Sequence, residues 1–116
     1  MSGTREPLVD CHAHVLDPAR FPYAEGVWYR PAGQEIAPRE QMAAVFAAHG
    51  VSHALLVEPN SGYDDDNRCM LDAIARSEGR YRGIAVVRDD ASRDELADLK
   101  AAGIVGIAFN VSLQGV

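Results

Sequence analysis

Leu8-Val9-Asp10-Cys11-His12-Ala13-His14-Val15 reads as a short strand running into a loop, and two of its side chains carry metal or proton chemistry. In a strand, side chains two apart share a face. Asp10, His12 and His14 are therefore expected on one side, with Val9, Cys11 and Ala13 on the other. Two imidazoles at the C-terminal end of one strand can grip a single metal ion or a single substrate oxygen. A His-x-His pair commonly supplies two zinc ligands. Cys11, turned away, is expected to pack beneath a helix as a small apolar group.

Working outward, a long irregular stretch runs from Leu16 to about Ala37 and holds the only tryptophan, Trp28. Loops of this length inside a domain usually serve function. Trp28 and Tyr29 read equally well as packing within that loop or as the wall of a site. Pro38 then stands where a helix takes its first residue, and Met42, Val45, Phe46 and His49 share one face before Gly50 ends the helix. A strand over Ala54–Glu58 is closed by Pro59, and the polar loop Asn60–Asp65 leads to a helix from about Asp66 to Glu78. That helix presents Met70, Leu71 and Ile74 and is stopped by Gly79. A third strand spans Gly83–Val87. Ser92 and Glu95 form a capping box for a third helix, expected to bury Leu96 and Leu99 and to stop at Gly103. A fourth strand covers Ile104–Val111.

The order helix, glycine, apolar strand thus recurs at Gly50, Gly79 and Gly103. Such alternation implies right-handed crossovers and a parallel α/β sheet. Two folds fit four strands and three helices. One is a small flavodoxin-like domain. The other is the first half of an eight-stranded (β/α)8 TIM barrel, whose full length is about 250 residues. Four strands alone leave two parallel edges and an uncovered inner face, so self-association through the exposed sheet edges is expected.

Composition narrows the class. At 116 residues and 12.5 kDa the chain suits one domain, and 47% hydrophobic with 24% charged residues is ordinary for a globular protein. No apolar run is long enough to span a bilayer, so no membrane is expected. Acidic side chains outnumber basic ones 17 to 11, for a net charge of −6, which disfavours nucleic acid as a partner. No leader-like segment precedes Asp10, and Cys11 and Cys69 are too few and too far apart for a disulfide scaffold or a zinc ribbon. The expected compartment is the cytoplasm.

Asp10-Cys11-His12-Ala13-His14 on a first strand resembles the opening of the amidohydrolase superfamily of TIM-barrel hydrolases. More of the chain is similar to its amidohydrolase-2 branch, the group of the 2-pyrone-4,6-dicarboxylate lactonases. The similar segments are Arg20-Phe21-Pro22-Tyr23, Tyr29-Arg30-Pro31, Leu56-Val57-Glu58-Pro59-Asn60, Asp66-Asn67, Arg82-Gly83-Ile84-Ala85-Val86-Val87 and Gly103-Ile104-Val105-Gly106-Ile107-Ala108-Phe109-Asn110. The resemblance implies that residues 1–116 are the N-terminal portion of one TIM-barrel domain, cut off after the fourth strand. It implies a hydrolase in which water attacks a small lactone-like or cyclic carbonyl substrate.

On the same resemblance, His12 and His14 are metal ligands in most of the superfamily, for a divalent metal such as zinc. In the lactonase branch they polarise the scissile carbonyl without a metal. Tyr29 falls where that branch helps hold substrate, and Asn60 stands where the branch tends to carry a serine, which makes it a candidate polar contact with substrate. The water-activating aspartate would lie beyond this chain, so the 116 residues alone are expected to be inactive. Ala108 departs from the branch, whose fourth-strand motif is Gly-x-Arg-Phe-Asn with the arginine on a substrate carboxylate. That departure disfavours a pyrone dicarboxylate substrate, and it disfavours a binuclear metal centre. Two other functions fit the pattern: a metal-dependent phosphoesterase barrel, and a non-catalytic half-barrel that assembles with a partner.

The remaining candidates read as structural. His49 and His53 sit at the opposite end of the sheet from His12. Asp64-Asp65-Asp66 suits a helix cap and dipole partner. Glu58, at the end of the second strand, could support the histidines from behind.

Overall fold

In the computed structural model, which describes residues 6–109, each glycine stop becomes a backbone turn that a side chain would oppose. Gly50, Gly79 and Gly103 take φ values of 71°, 82° and 103°, the left-handed region that glycine enters at no steric cost. Each turn feeds a strand. The elements are β1 (Leu8–Ala13), α1 (Arg39–His49), β2 (Val51–Val57), α2 (Arg68–Ala75), β3 (Tyr81–Val86), α3 (Arg93–Ala101) and β4 (Ile104–Ala108), with a short 3-10 turn at Gly33–Glu35. All neighbouring strands pair in parallel, in the order β1-β2-β3-β4. A flavodoxin-like sheet would reverse direction after its first strand pair. Consecutive order is the winding of a barrel wall.

The core lies between the sheet and its helices. Met42 and Phe46 of α1 and Met70, Ala73 and Ile74 of α2 meet Ala54, Leu56, Tyr81, Ala85 and Ile104 from the strands. Gly83 sets how closely the layers approach. A Cβ there would lie 2.8 Å from both Ile74 Cδ1 and Ile104 Cδ1, and 3.1 Å from Met70 Sδ. Gly83→Val is therefore expected to destabilise the fold by about 1–3 kcal/mol through overpacking, measured as a lowered urea midpoint. An unchanged midpoint would mean that the helix layer yields freely.

Several expected boundaries shift for local reasons. Pro38 is the N-cap of α1 rather than its first residue, because its ψ of 161° keeps it extended. α2 stops at Ala75, and Ser77 ends it: its Oγ donates to the Ile74 carbonyl at 2.7 Å and accepts the Tyr81 N–H at 3.0 Å. β2 and β3 begin earlier than expected, directly behind the glycine turns. Asn110 and Val111 of the expected fourth strand lie outside the described residues.

Two packing expectations are overturned. Ser92 Oγ does accept the Glu95 N–H at 3.1 Å as the N-cap of α3, yet α3 buries none of its residues and Leu96 is 39% exposed. The helix rests mainly on β4, an edge of the described sheet. Cys11 is exposed rather than packed under a helix, because β1 is the other edge and packs mainly on β2. Leu8 and Val9 on β1 and Val105 on β4 are likewise exposed. Among the described residues, no helix is long and apolar enough to cross a membrane.

Candidate active site at the C-terminal ends of the strands

His12 and His14 do come together, but not by simple alternation. On β1 the step from Asp10 to Ala13 is matched by only two residues on β2, Ala54 to Leu56. The extra residue is a bulge, and Asp10 supplies its cause. Asp10 Oδ1 accepts the His12 N–H at 3.0 Å, a local bond that competes with the ladder. Bulges re-aim side chains and concentrate beside active sites. The strand ends at Ala13, so His14 stands just past it. The two rings meet edge to face, with centroids 5.1 Å apart at 87°.

His14 is held in one orientation. Its Nδ1 lies 2.7 Å from the Val57 carbonyl oxygen at the end of β2. A carbonyl can only accept, so Nδ1 carries the proton. Nε2 is then the ring nitrogen free to act on a ligand, the arrangement that metal-binding histidines adopt. In the neutral ring Nε2 offers a lone pair; to donate a hydrogen bond, His14 must hold protons on both nitrogens.

A cleft of about 380 Å³ opens above this pair, within the range of small-molecule sites. Trp28, the segment from Val57 to Ser61, Ala108 and Phe109 complete its lining. Asn60 thus faces the same cleft as the histidines. Tyr29 does not line it: its hydroxyl donates to Glu35 Oε1 at 2.6 Å, and its ring lies 5.7 Å from that of Trp28. The sequence reading left Trp28 undecided and overlooked Ser61 and Phe109. The available signal was their place directly after Asn60 and Ala108, at strand ends.

Charge in the cleft is sparse. No arginine or lysine lines it among the described residues, and its one acid is Glu58. Glu58 is 3% exposed, and neither carboxylate oxygen has a hydrogen-bond partner. Burial, reinforced by Asp66, Asp64 and Asp65, pushes its carboxyl up to about 9, so it is a neutral acid at pH 7. Arg20, within the long first loop, is engaged with Asp17 and Glu40.

The other candidates lie apart from this chemistry. His49 and His53 border a depression with Glu6, Pro7 and Leu8 at the opposite end of the sheet. Asp66 binds Arg68 through both oxygens, at 2.8 and 2.9 Å, and also accepts the Arg68 N–H at the start of α2. That pairing holds its carboxyl below the usual range. Burial pushes the Cys69 thiol up to about 11, which leaves it unreactive. Among the described residues, no three His, Cys, Asp or Glu side chains are grouped to hold a metal ion. His12 and His14 fit as two ligands of a divalent ion, and its others would have to come from elsewhere.

Comparison with known proteins places the chain in a family. The family model described as Amidohydrolase matches residues 9–116. The chain is 34% identical over 101 residues to a 4-sulfomuconolactone hydrolase of Hydrogenophaga intermedia, covering 86% of this chain and 32% of that protein. It is 36% identical over 103 residues to a 2-pyrone-4,6-dicarboxylate hydrolase of Comamonas testosteroni, covering 88% and 32%. The chain therefore spans about a third of the length of these relatives. It superposes with a TM-score of 0.78 and 34% identity on the crystal structure of a probable 2-pyrone-4,6-dicarboxylic acid hydrolase from Acinetobacter baumannii with citric acid bound, covering 90% of this chain and 38% of that one. The four strands and three helices are those of an amidohydrolase-type TIM barrel, and the chain belongs to the Amidohydrolase family.

Proposed function

We propose that the protein to which this chain belongs is a hydrolase of lactone-like substrates, with His12 and His14 acting on the carbonyl that water attacks. The observation that carries this reading is the meeting of the two imidazoles, 5.1 Å apart, in a cleft at the strand ends. The lactone hydrolases among its relatives support it.

Each residue has a task. The Val57 carbonyl orients His14 and fixes which of its nitrogens meets the ligand. Asp10 holds the bulge that brings His12 beside it. Acting directly, His14 polarises the carbonyl oxygen only as the doubly protonated ring. A divalent metal such as zinc, held by His12 and His14, would supply Lewis-acid polarisation instead. Asn60 is placed to hydrogen-bond a polar substituent of the substrate. Glu58, buried as a neutral acid, is unsuited to activate water, so that base is assigned to a carboxylate outside the described residues.

Ala108 sets the substrate class. Alanine at 108 offers no cation on its side of the cleft, so a carboxylate turned toward that position would stand unpaired. The substrate is therefore a lactone with fewer carboxylates than the pyrone dicarboxylate. The test assays the natively expressed protein on 2-pyrone-4,6-dicarboxylate and on a monocarboxylate lactone, then repeats it with Ala108→Arg. The unaltered protein should prefer the monocarboxylate. Leaving one partner of a buried, hydrogen-bonded charge pair unpaired costs about 2–5 kcal/mol, so supplying a bidentate partner with Ala108→Arg should shift relative kcat/KM toward the dicarboxylate by tenfold or more. Preference of the unaltered protein for the dicarboxylate would refute the argument from Ala108, and hydrolysis of neither lactone would refute the activity.

A further inference from the structure

Trp28 is 66% exposed although it lines the histidine cleft. Within the described residues the indole is left mostly uncovered, so whether it can face a ligand depends on how firmly its loop is held. The loop around it is not loose. The next residue, Tyr29, accepts the Gly62 N–H at 2.8 Å through its carbonyl and is tied by its hydroxyl to Glu35. Ala24 N–H donates to the Gly62 carbonyl at 2.8 Å, and Tyr23 Oη donates to the Pro31 carbonyl at 2.6 Å. Gly62 itself takes a φ of 78° and lies so near Tyr23 that a Cβ would approach its ring to 2.8 Å. The long first loop is thus fastened to the loop after β2 on both sides of Trp28.

Phe109, at the end of β4, is 64% exposed and lines the same cleft. Two exposed aromatic rings, that of Trp28 on a fastened loop, beside a cleft whose described lining holds no cation suit a flat, conjugated, weakly charged ligand. Aromatic faces favour such rings by offset stacking.

We infer that Trp28 is a specificity-determining residue: an aromatic wall, shared with Phe109, that selects substrates with a flat conjugated ring over puckered saturated ones. This deepens the lactone-hydrolase reading and rests on it. Tyr29 is the positioning residue that keeps the loop, and hence the indole, in place.

The experiment compares kcat/KM of the natively expressed protein and its Trp28→Ala and Trp28→Phe variants on two probes. One is 2-pyrone-4-carboxylate, which is flat; the other is a saturated six-membered lactone carboxylate, which is puckered. Trp28→Ala should lower kcat/KM on the flat probe about tenfold, mainly through KM, and change the puckered probe less than threefold. Trp28→Phe should restore most of the loss. Equal losses on both probes, or no loss, would overturn the inference. If the unaltered protein hydrolyses neither lactone, the lactone reading fails, and the wall is judged by binding alone. Calorimetry with pyridine-2-carboxylate and cyclohexanecarboxylate should then show a preference for the flat ring that Trp28→Ala abolishes. Equal affinity of the unaltered protein for the two rings would overturn the inference.

Discussion

Replacing His12 or His14 with asparagine is expected to lower kcat/KM on the preferred lactone by about 100- to 10,000-fold, the usual scale for losing a group that polarises or exchanges a proton in the transition state. The two rings stand edge to face and line the same cleft, so their effects should not add. The double variant should be no worse than the poorer single one by more than a few-fold, as groups acting as a unit behave. A different outcome is expected from the orienting bond. Val57 contributes its carbonyl, which no side-chain substitution removes, so Val57→Ala should leave most of the activity intact. Steady-state kinetics on all four variants, with circular dichroism to confirm folding, checks the set. A single variant retaining more than a tenth of the activity would place the chemistry elsewhere.

Glu58→Gln is expected to flatten the dependence of stability on pH. The Glu58 carboxyl titrates at about 9 in the folded protein and near 4.5, its ordinary value, in the unfolded chain. Because the folded value is the higher, the unfolded state releases the proton first as pH rises. Relative stability is therefore complete below pH ~4.5 and is lost as pH climbs toward ~9, at about 1.4 kcal/mol per pH unit at the steepest. Between pH 5 and 8 the loss amounts to a few kcal/mol from this one group. Glutamine has the same shape and no proton to lose. Urea denaturation of the natively expressed protein at pH 5 and pH 8 should show the unaltered form falling relative to Glu58→Gln. Parallel behaviour of the two would mean that Glu58 finds a partner or water on folding.

The sheet was legible from local signals because each depends on only a few neighbouring residues. Gly50, Gly79 and Gly103 mark helix ends through backbone sterics, and Ser92 with Glu95 marks a helix start through one hydrogen bond. Burial was less legible. Leu96 has the spacing of a core residue, and Cys11 the alternation of one, yet both are exposed because α3 and β1 lie over or at edges of the described sheet. Periodicity says which side chains share a face; it does not say whether anything covers that face.

By itself, the sequence determined the parallel α/β winding, the placement of His12 and His14 at the end of its first strand, and the absence of an arginine at position 108. These follow from residue identity and short-range periodicity. Only the tertiary structure decided that the two histidines meet through a bulge rather than by alternation, since that depends on how Asp10 to Ala13 pair with Ala54 to Leu56. It alone showed that the His14 Nδ1–H donates a hydrogen bond to the carbonyl of Val57, 43 residues away. It alone revealed that Trp28 and Phe109 share a cleft and that Glu58 is buried without a partner. These facts are set by contacts between segments distant in the chain, and the packing of several elements at once brings those segments together.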